Sequence, residues 1–225
     1  MLLEHYRYMA RTSRIVAPGY FHHITHRGNN RENVFLCDAD RVDYLRRLSA
    51  GAKSNKVRVI GYCLMTNHVH LIACPETDGG LASWLRKTHG EYAQSFNRRT
   101  QRCGHLWQER FFSCVLEDSH VLNALRYVDL NPVRAKMVRS AAEWPWSSAA
   151  AHLGKSDRPD LLSDEWKTWR DLPDWTEFLC VGDDESGAEL LRSCTRRNRP
   201  LGSGAFLARL NGRRVENSRG AIASA

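Results

Sequence analysis

Two histidines stand two residues apart in the run Asn67-His68-Val69-His70-Leu71. If that run is extended, both imidazoles point to one face of a strand while Val69 and Leu71 point to the other. Imidazoles so placed can contact one divalent cation. The pattern is short enough to arise by chance, and a surface pair needs no ligand. Further along, helical spacing from Asp118 puts Val121, Leu122, Leu125 and Val128 on one apolar face. The opposite stripe, at i, i+4 and i+8, is Asn123, Tyr127 and Asn131, with Arg134 just beyond. A tyrosine on the polar stripe is out of place for a core residue. One turn later Asn131 offers an amide oxygen, a hard donor suited to Mg²⁺ or Mn²⁺. The same spacing also fits a Tyr127 that rims the core and an Asn131 that caps the helix before Pro132.

The elements that must position these residues follow from patterning. Residues of about 20–27 are rich in β-formers and end at the turn cluster Gly28-Asn29-Asn30. Asp38 is expected to cap a helix over about 39–52, with Val42, Leu45 and Leu48 on its buried face. Residues of about 57–65 and 68–74 read as two strands of a hairpin turning at Thr66-Asn67. Gly79-Gly80 precedes a helix over about 81–98 whose apolar stripe is Leu81, Trp84, Leu85, Tyr92 and Phe96. A short strand at about 111–117 follows. A helix then runs from Asp118 or Ser119 to about 130 and is expected to end at Asn131-Pro132, because a residue before proline avoids the α region. The order β-α-β-β-α-β-α predicts an α+β fold: a ferredoxin-like split βαβ antiparallel sheet with helices on one face. A mostly helical or irregular C-terminal extension follows it.

Length, composition and charge narrow the field. A chain of 225 residues corresponds to between one and two domains, and 42% hydrophobic with 26% charged residues excludes a wholly disordered or fibrous chain. No apolar stretch approaches the roughly 18 residues of a membrane span. The N-terminus lacks the apolar core of a signal peptide. Seven cysteines, odd in number and without a Cys-x-x-Cys pair, argue against a disulfide scaffold or zinc ribbon and for a reducing, cytoplasmic setting. The net charge of +8 falls into three blocks: +8 over 1–154, −7 over 155–191 and +7 over 192–225. Two basic blocks around an acidic one suggest a polyanion partner, nucleic acid above all. The tail could equally be a solvated charge run, or fold back on the acidic block. Three segments are expected: a domain over 14–154, an acidic Trp-rich connecting segment over 155–191, and a basic tail over 192–225 as an accessory DNA contact.

The motifs also carry a resemblance. His68-Val69-His70 resembles the histidine-hydrophobe-histidine motif of the HUH endonucleases. Joined to Tyr127-Val-Asp-Leu-Asn-Pro-Val-Arg134, it resembles the single-tyrosine transposases of small insertion sequences, and more closely the REP-associated tyrosine transposases. The runs Gly19-Tyr-Phe-His-His-Ile-Thr-His-Arg-Gly-Asn-Asn30, Trp107-Gln-Glu-Arg-Phe111 and Trp144-Pro-Trp-Ser-Ser148 are similar to that group as well. The likeness spans about 14–154. It implies that His68, His70 and Asn131 hold Mg²⁺ or Mn²⁺ and that Tyr127 is the nucleophile. Thr66 departs from the proline usual before the Asn-His-x-His run, which bears on hairpin rigidity and on no ligand. The implied partner is single-stranded or hairpin DNA, and no membrane; monomer and dimer stay open. The implied reaction is metal-assisted transesterification through a 5′-phosphotyrosine with a free 3′-hydroxyl. Tyrosine's ordinary pKa near ~10 requires help from a base or a nearby charge, and no base is identified. Arg110, Arg126 and Arg134 are candidate phosphate clamps, and Arg196, Arg197 and Arg199 candidate DNA contacts of the tail. Tyr92 reads as core, Tyr62 as a cross-strand packing residue, and Tyr20 and Tyr44 have no polar ligand nearby in sequence. His22 and His26 share strand parity, with a surface role expected. Trp107, Trp144 and Trp146 could stack on bases but are better explained by packing. Three functions compete: a DNA nicking and rejoining enzyme, a catalytically silent hairpin-binding regulator, and an unrelated hydrolytic metalloenzyme. The intact His68, His70, Tyr127 and Asn131 set favours the first.

Overall fold

Four strands, β1 (His22–Arg27), β2 (Val57–Leu64), β3 (His68–Pro75) and β4 (Phe112–Val115), form one antiparallel sheet in the order β2-β3-β1-β4. The computed structural model describes residues 14–155, 160–169, 175–180 and 185–212. Strands β2 and β3 are buried along nearly their whole length, which fits a sheet covered on both faces better than one with a wet side. The helices of the two split βαβ units, α1 (Asp38–Ser54) and α2 (Gly80–Thr100), pack over one core built on Ile24, Val59, Leu71, Tyr44, Leu48 and Trp84. On the opposite face α3 (Asp118–Asp129) packs over Ile60, Ile72 and Cys114 through Val121, Leu125 and Val128. Gly61 permits that approach, since a Cβ there would stand 2.6 Å from Leu125 Cδ2. The expected split βαβ sheet is present, and α3 adds a covering layer to its second face.

Helix α1 differs from expectation in phase and cap. Its N-cap is Cys37, and the Asp40 carboxylate accepts from the Leu36 and Cys37 amides at 2.8 and 3.2 Å. Val42 is 57% exposed while Tyr44 and Leu48 are buried. The buried stripe runs through Arg41, Tyr44, Leu48 and Ala52, and Val42 lies off it by a turn of about 100°. Helix α3 stops at Asp129, Leu130 is its C-cap, and Asn131–Arg134 form a separate single turn, α4. Pro132, lacking an N–H, breaks the hydrogen-bond ladder there. The chain therefore kinks without becoming extended.

What anchors α3 is a buried polar cluster. Asp129, fully buried, accepts from His152 Nδ1 at 2.8 Å, Ser148 Oγ at 3.1 Å and Trp175 Nε1 at 3.1 Å. His152, on the short helix α5 (Ala149–His152), reaches the Ile60 carbonyl with its other nitrogen at 2.9 Å. The Ser147-Ser148 segment and Trp175, on α6 (Trp175–Cys180), thus tie the tyrosine-bearing helix to β2. Asp129→Ala leaves the buried His152 donor and the Trp175 donor unpaired, Ser148 Oγ keeping the Tyr62 carbonyl at 3.2 Å, and is expected to lower the unfolding free energy by about 3–5 kcal/mol. Urea unfolding measures it, and a loss below about 1 kcal/mol would show that the cluster does not anchor the helix.

The segments beyond 154 are woven into the fold. Leu162 pairs in parallel with Val59, and Ser163 N donates to the Val59 carbonyl at 2.7 Å, so the acidic segment covers the free edge of β2. Helix α7 (Glu185–Arg196) runs across the 191/192 charge boundary and packs on β4, α3 and β1. Leu201 bridges Leu116, and the helical stretch 204–212 buries Phe206 and Leu210 beside Val115 and Ala17. The expected division at 191/192 is therefore a compositional boundary within a helix, and the first part of the basic segment is core-forming. Residues 213–225 of that segment lie outside the described residues, as do 156–159, 170–174 and 181–184 of the acidic one. The six described cysteines are free thiols. No helix among the described residues is long and apolar enough to cross a membrane.

Candidate active site

The second face of the sheet carries the site. Register places Arg27 opposite His68, Thr25 opposite His70 and His23 opposite Ile72, so these side chains share one face. Helix α3 crosses that face and brings Tyr127 against it. The Tyr127 ring stands edge-on to His70 and to His23, each with centroids 5.6 Å apart. His68 and His70 lie 5.0 Å apart edge-on, and His23 stacks on His70 at 5.2 Å. The α3–α4 kink returns two side chains toward the tyrosine. Asn131 Nδ2 donates to the Tyr127 carbonyl at 3.2 Å, and the Arg134 guanidinium donates to the same carbonyl while lying 4.2 Å over the ring. Tyr127 is 8% exposed, so it sits at the rim of the core and not on a solvated stripe. Its hydroxyl makes no hydrogen bond among the described residues. A cavity of about 840 Å³ opens here, lined by His68, His70, Tyr127, Asn131, Arg27 and Arg196 among others. The four residues singled out by motif thus converge on one cavity.

The histidines are held neutral. Burial, then Arg27, pushes His68 down to about 4. Burial, followed by His68, His23, Arg134 and Arg27, holds His70 well below the ordinary histidine range. Burial and Arg134 lower His23 to about 3. Neutral imidazole is the form that ligates a metal. His68 uses Nδ1 on Asn67 Oδ1 at 2.7 Å and His70 uses Nδ1 on His23 Nε2 at 3.0 Å. Neither Nε2 has a hydrogen-bond partner among the described residues, and Asn131 Oδ1 is likewise unengaged. Two free imidazole nitrogens and an amide oxygen facing one cavity fit a divalent cation that completes its shell with water or phosphate oxygen. No cluster of three His, Cys, Asp or Glu able to hold a metal occurs among the described residues, so an amide oxygen is the third donor this cavity offers.

The arginines divide. Arg134 and Arg196 line the cavity. Arg126, on α3, is buried with its guanidinium 5.1 Å from the Phe178 ring, and lines a neighbouring cavity that Tyr127 and Arg134 also border. Arg110 lies on the other face of the sheet, in a cavity of about 720 Å³ with His26, His89 and Trp107. Arg197 and Arg199 are exposed and do not line the tyrosine's cavity. Sequence reasoning missed Arg27, Arg31 and Arg192, which do line it, and also His23 and Thr195. His22 and His26, expected at the surface, are buried on the α1–α2 face: His22 accepts from the Ala17 amide at 3.2 Å, and His26 meets His89 at 2.7 Å. The signal was the same parity argument applied to the residue between them, His23. Trp107, Trp144 and Trp146 pack against the cores.

Comparison with known proteins agrees with this geometry. Residues 18–131 match the family model described as IS200-like transposase. A Haemophilus influenzae protein described as a REP-associated tyrosine transposase is 25% identical over 139 residues, covering 55% of this chain and 77% of its own. A solved REP-associated tyrosine transposase bound to a REP hairpin superposes with a TM-score of 0.54 at 18% identity, covering 70% of this chain and 93% of that one. The fold is shared with that structure. The family match takes in β1, both histidines of β3, Tyr127 and Asn131, and the chain belongs to the IS200-like transposase family.

Proposed function

We propose that this transposase-family chain cleaves and rejoins single-stranded DNA beside a hairpin through a 5′-phosphotyrosine at Tyr127. The observation that carries the reading is the placement of a tyrosine with an unengaged hydroxyl edge-on to His70, in the cavity that His68 and Asn131 also line. The Tyr127 oxygen attacks phosphorus, the bond to the 3′-oxygen breaks, and that oxygen leaves with a proton as a 3′-hydroxyl. The attacking phenol gives up its proton in the same exchange. Because the phosphodiester energy is kept in the tyrosyl ester, attack by another 3′-hydroxyl rejoins DNA and frees the tyrosine. Arg134 holds the ring from above, so the nucleophile is oriented before substrate arrives. Arg27, Arg31 and Arg196 give the cavity a positive wall for the DNA backbone. A divalent cation held by His68, His70 and Asn131 would neutralise charge building on the scissile phosphate. The relative solved with a REP hairpin supports a hairpin as the DNA partner.

An oligonucleotide hairpin with a single-stranded flank, incubated with Mg²⁺ or Mn²⁺, tests the polarity. A 3′-end label is expected to stay with the protein on a denaturing gel, and a 5′-end label to appear in a shortened free strand that polymerase extends. Label on the protein from the 5′ end, or an uncut strand, overturns the reading. The positive wall makes a second prediction. Arg31→Ala with Arg196→Ala removes two phosphate contacts and is expected to lower the log–log salt slope of single-strand binding by about 1.4. An unchanged slope would remove those two side chains from the DNA path.

A further inference from the structure

His70 is not oriented by its own strand alone. Thr195, on α7, is 1% exposed, and its Oγ1 donates to the Leu191 carbonyl at 2.8 Å, the i−4 bond of a helical threonine. A carbonyl can only accept, so the single hydroxyl proton is committed there. Oγ1 lies 2.7 Å from His23 Nδ1 and must therefore accept from an Nδ1–H. A neutral His23 that carries its proton on Nδ1 has a bare Nε2. That atom faces His70 Nδ1 at 3.0 Å, so His70 in turn carries its proton on Nδ1 and leaves Nε2 bare toward the cavity. A second chain does the same for His68. Asn67 Nδ2 donates to the Arg31 carbonyl at 3.0 Å, which settles the amide orientation, and Asn67 Oδ1 accepts from His68 Nδ1 at 2.7 Å. Both chains start at a backbone carbonyl and end with a lone pair directed at one place.

We infer that Thr195 and His23 are positioning residues that fix the ligating tautomer of His70, so that α7, beyond the family-matched segment, completes the metal site. The inference rests on the cation-holding role proposed above for His68 and His70. Hydrogen-bond partners of this kind set which imidazole nitrogen is free, and their loss weakens metal affinity by roughly 10–100-fold. Thr195→Val keeps the shape of the buried side chain and removes the acceptor. His23 then has no acceptor for an Nδ1 proton, its Nε2 becomes the donor, and His70 must carry its proton on Nε2, where the metal would bind.

The experiment uses full-length protein with ¹⁵N-labelled histidine and no metal, then Mn²⁺ alone as probe. Two-bond ¹H–¹⁵N correlations are expected to show His70 protonated on Nδ1 in wild type and in Thr195→Ser, and on Nε2 in Thr195→Val. Mn²⁺ is expected to broaden His68 and His70 in wild type, with an affinity reduced about 10–100-fold in Thr195→Val and restored to within about threefold in Thr195→Ser. Should Thr195→Val not fold, His23→Phe cuts the relay at its next link and is expected to give the same His70 reversal. Wild-type protein whose His68 and His70 signals ignore Mn²⁺ overturns the metal reading, and the role of Thr195 with it. Clear Mn²⁺ broadening in wild type, with tautomer and affinity unchanged in Thr195→Val or His23→Phe, overturns the relay alone.

Discussion

Tyr127→Phe protein is expected to form no covalent DNA adduct, at least about 10⁴-fold below wild type, while binding a hairpin oligonucleotide within about twofold of it. Two features separate chemistry from structure at this position. The ring is held by contacts that phenylalanine keeps, the Arg134 guanidinium at 4.2 Å and the edges of His23 and His70. The hydroxyl has no partner among the described residues, so its removal strands no donor or acceptor. No other described tyrosine can stand in. Tyr44, Tyr62 and Tyr92 are buried in the core under α1 and α2, with the Tyr92 hydroxyl donating to the Val34 carbonyl and that of Tyr44 hydrogen-bonded to His89. Tyr20 packs on Phe206 beside the C-terminal helical stretch. Denaturing gels report the adduct and fluorescence anisotropy the affinity. An SDS-resistant adduct that survives the Tyr127→Phe substitution would mean that Tyr127 is not the attacking residue.

A fall in pH from about 6.5 to 4 is expected to unfold the protein cooperatively. Burial lowers His22 and His26 to about 4 and His23 to about 3, and holds His70 and His89 well below the ordinary range. Each is neutral in the folded chain and accepts a proton near its usual pKa of ~6.5 only when unfolded. The unfolded state therefore binds more protons over this window. The stabilisation is complete above about 6.5 and is lost as pH falls toward the folded values. At pH 5, a histidine lowered to about 4 accounts for about 2 kcal/mol of that loss. The His23–His70 and His26–His89 pairs titrate together, so the contributions do not simply add. Half of their sum is still comparable to the ~5–15 kcal/mol that holds a domain folded. Circular dichroism melts in chelator at pH 7.5, 6 and 5 measure it. Equal midpoints at 7.5 and 5 would show that these histidines protonate without disrupting the packing around them.

Much of the framework is legible in the sequence because period and punctuation agree: the hairpin around Thr66-Asn67 and the α2 stripe ending at Phe96 lie where patterning puts them. So do Val121, Leu125 and Val128 of α3, while Leu122 is only half-buried and Tyr127 is drawn into the buried face. Motif spacing also brings His68, His70, Tyr127 and Asn131 into one cavity. Period-based reasoning goes astray where a residue is buried for a reason other than hydrophobicity. The run His22-His23-Ile24-Thr25-His26 reads as half wet, yet β1 is a central strand with both faces covered and its three histidines are buried. In α1 the aliphatic Val42 is exposed while Arg41 and Tyr44 are buried, because aromatic partners Phe35, Tyr92 and Trp144 draw them inward. The charge step at 191/192 suggested a segment boundary, but α7's arginines form ion pairs within the helix, Arg192 with Glu185 and Glu189, Arg196 with Glu189, while its other side packs on β4. Thr195 carries no motif and lies outside the family-matched segment. Only its register against β1 exposes its contact with His23.

Because α7 crosses 191/192 and is followed by the Leu201 bridge to Leu116, the order of synthesis acquires meaning. Tyr127 and both β3 histidines emerge from the ribosome well before Thr195 and Phe206 do. A nascent chain, or one released early by a stop codon after α5, holds Tyr127 but lacks the packing of α7 and Phe206 on Cys114 and Val115 of β4 and leaves His23 without its helix partner. Such fragments are expected to form no adduct when translated in vitro with the hairpin substrate, whereas the completed chain does. Adduct formation by a fragment ending at residue 155 would show that the late helix is dispensable. If the proposed chemistry at Tyr127 needs α7, a half-made or truncated copy carries the tyrosine without the activity.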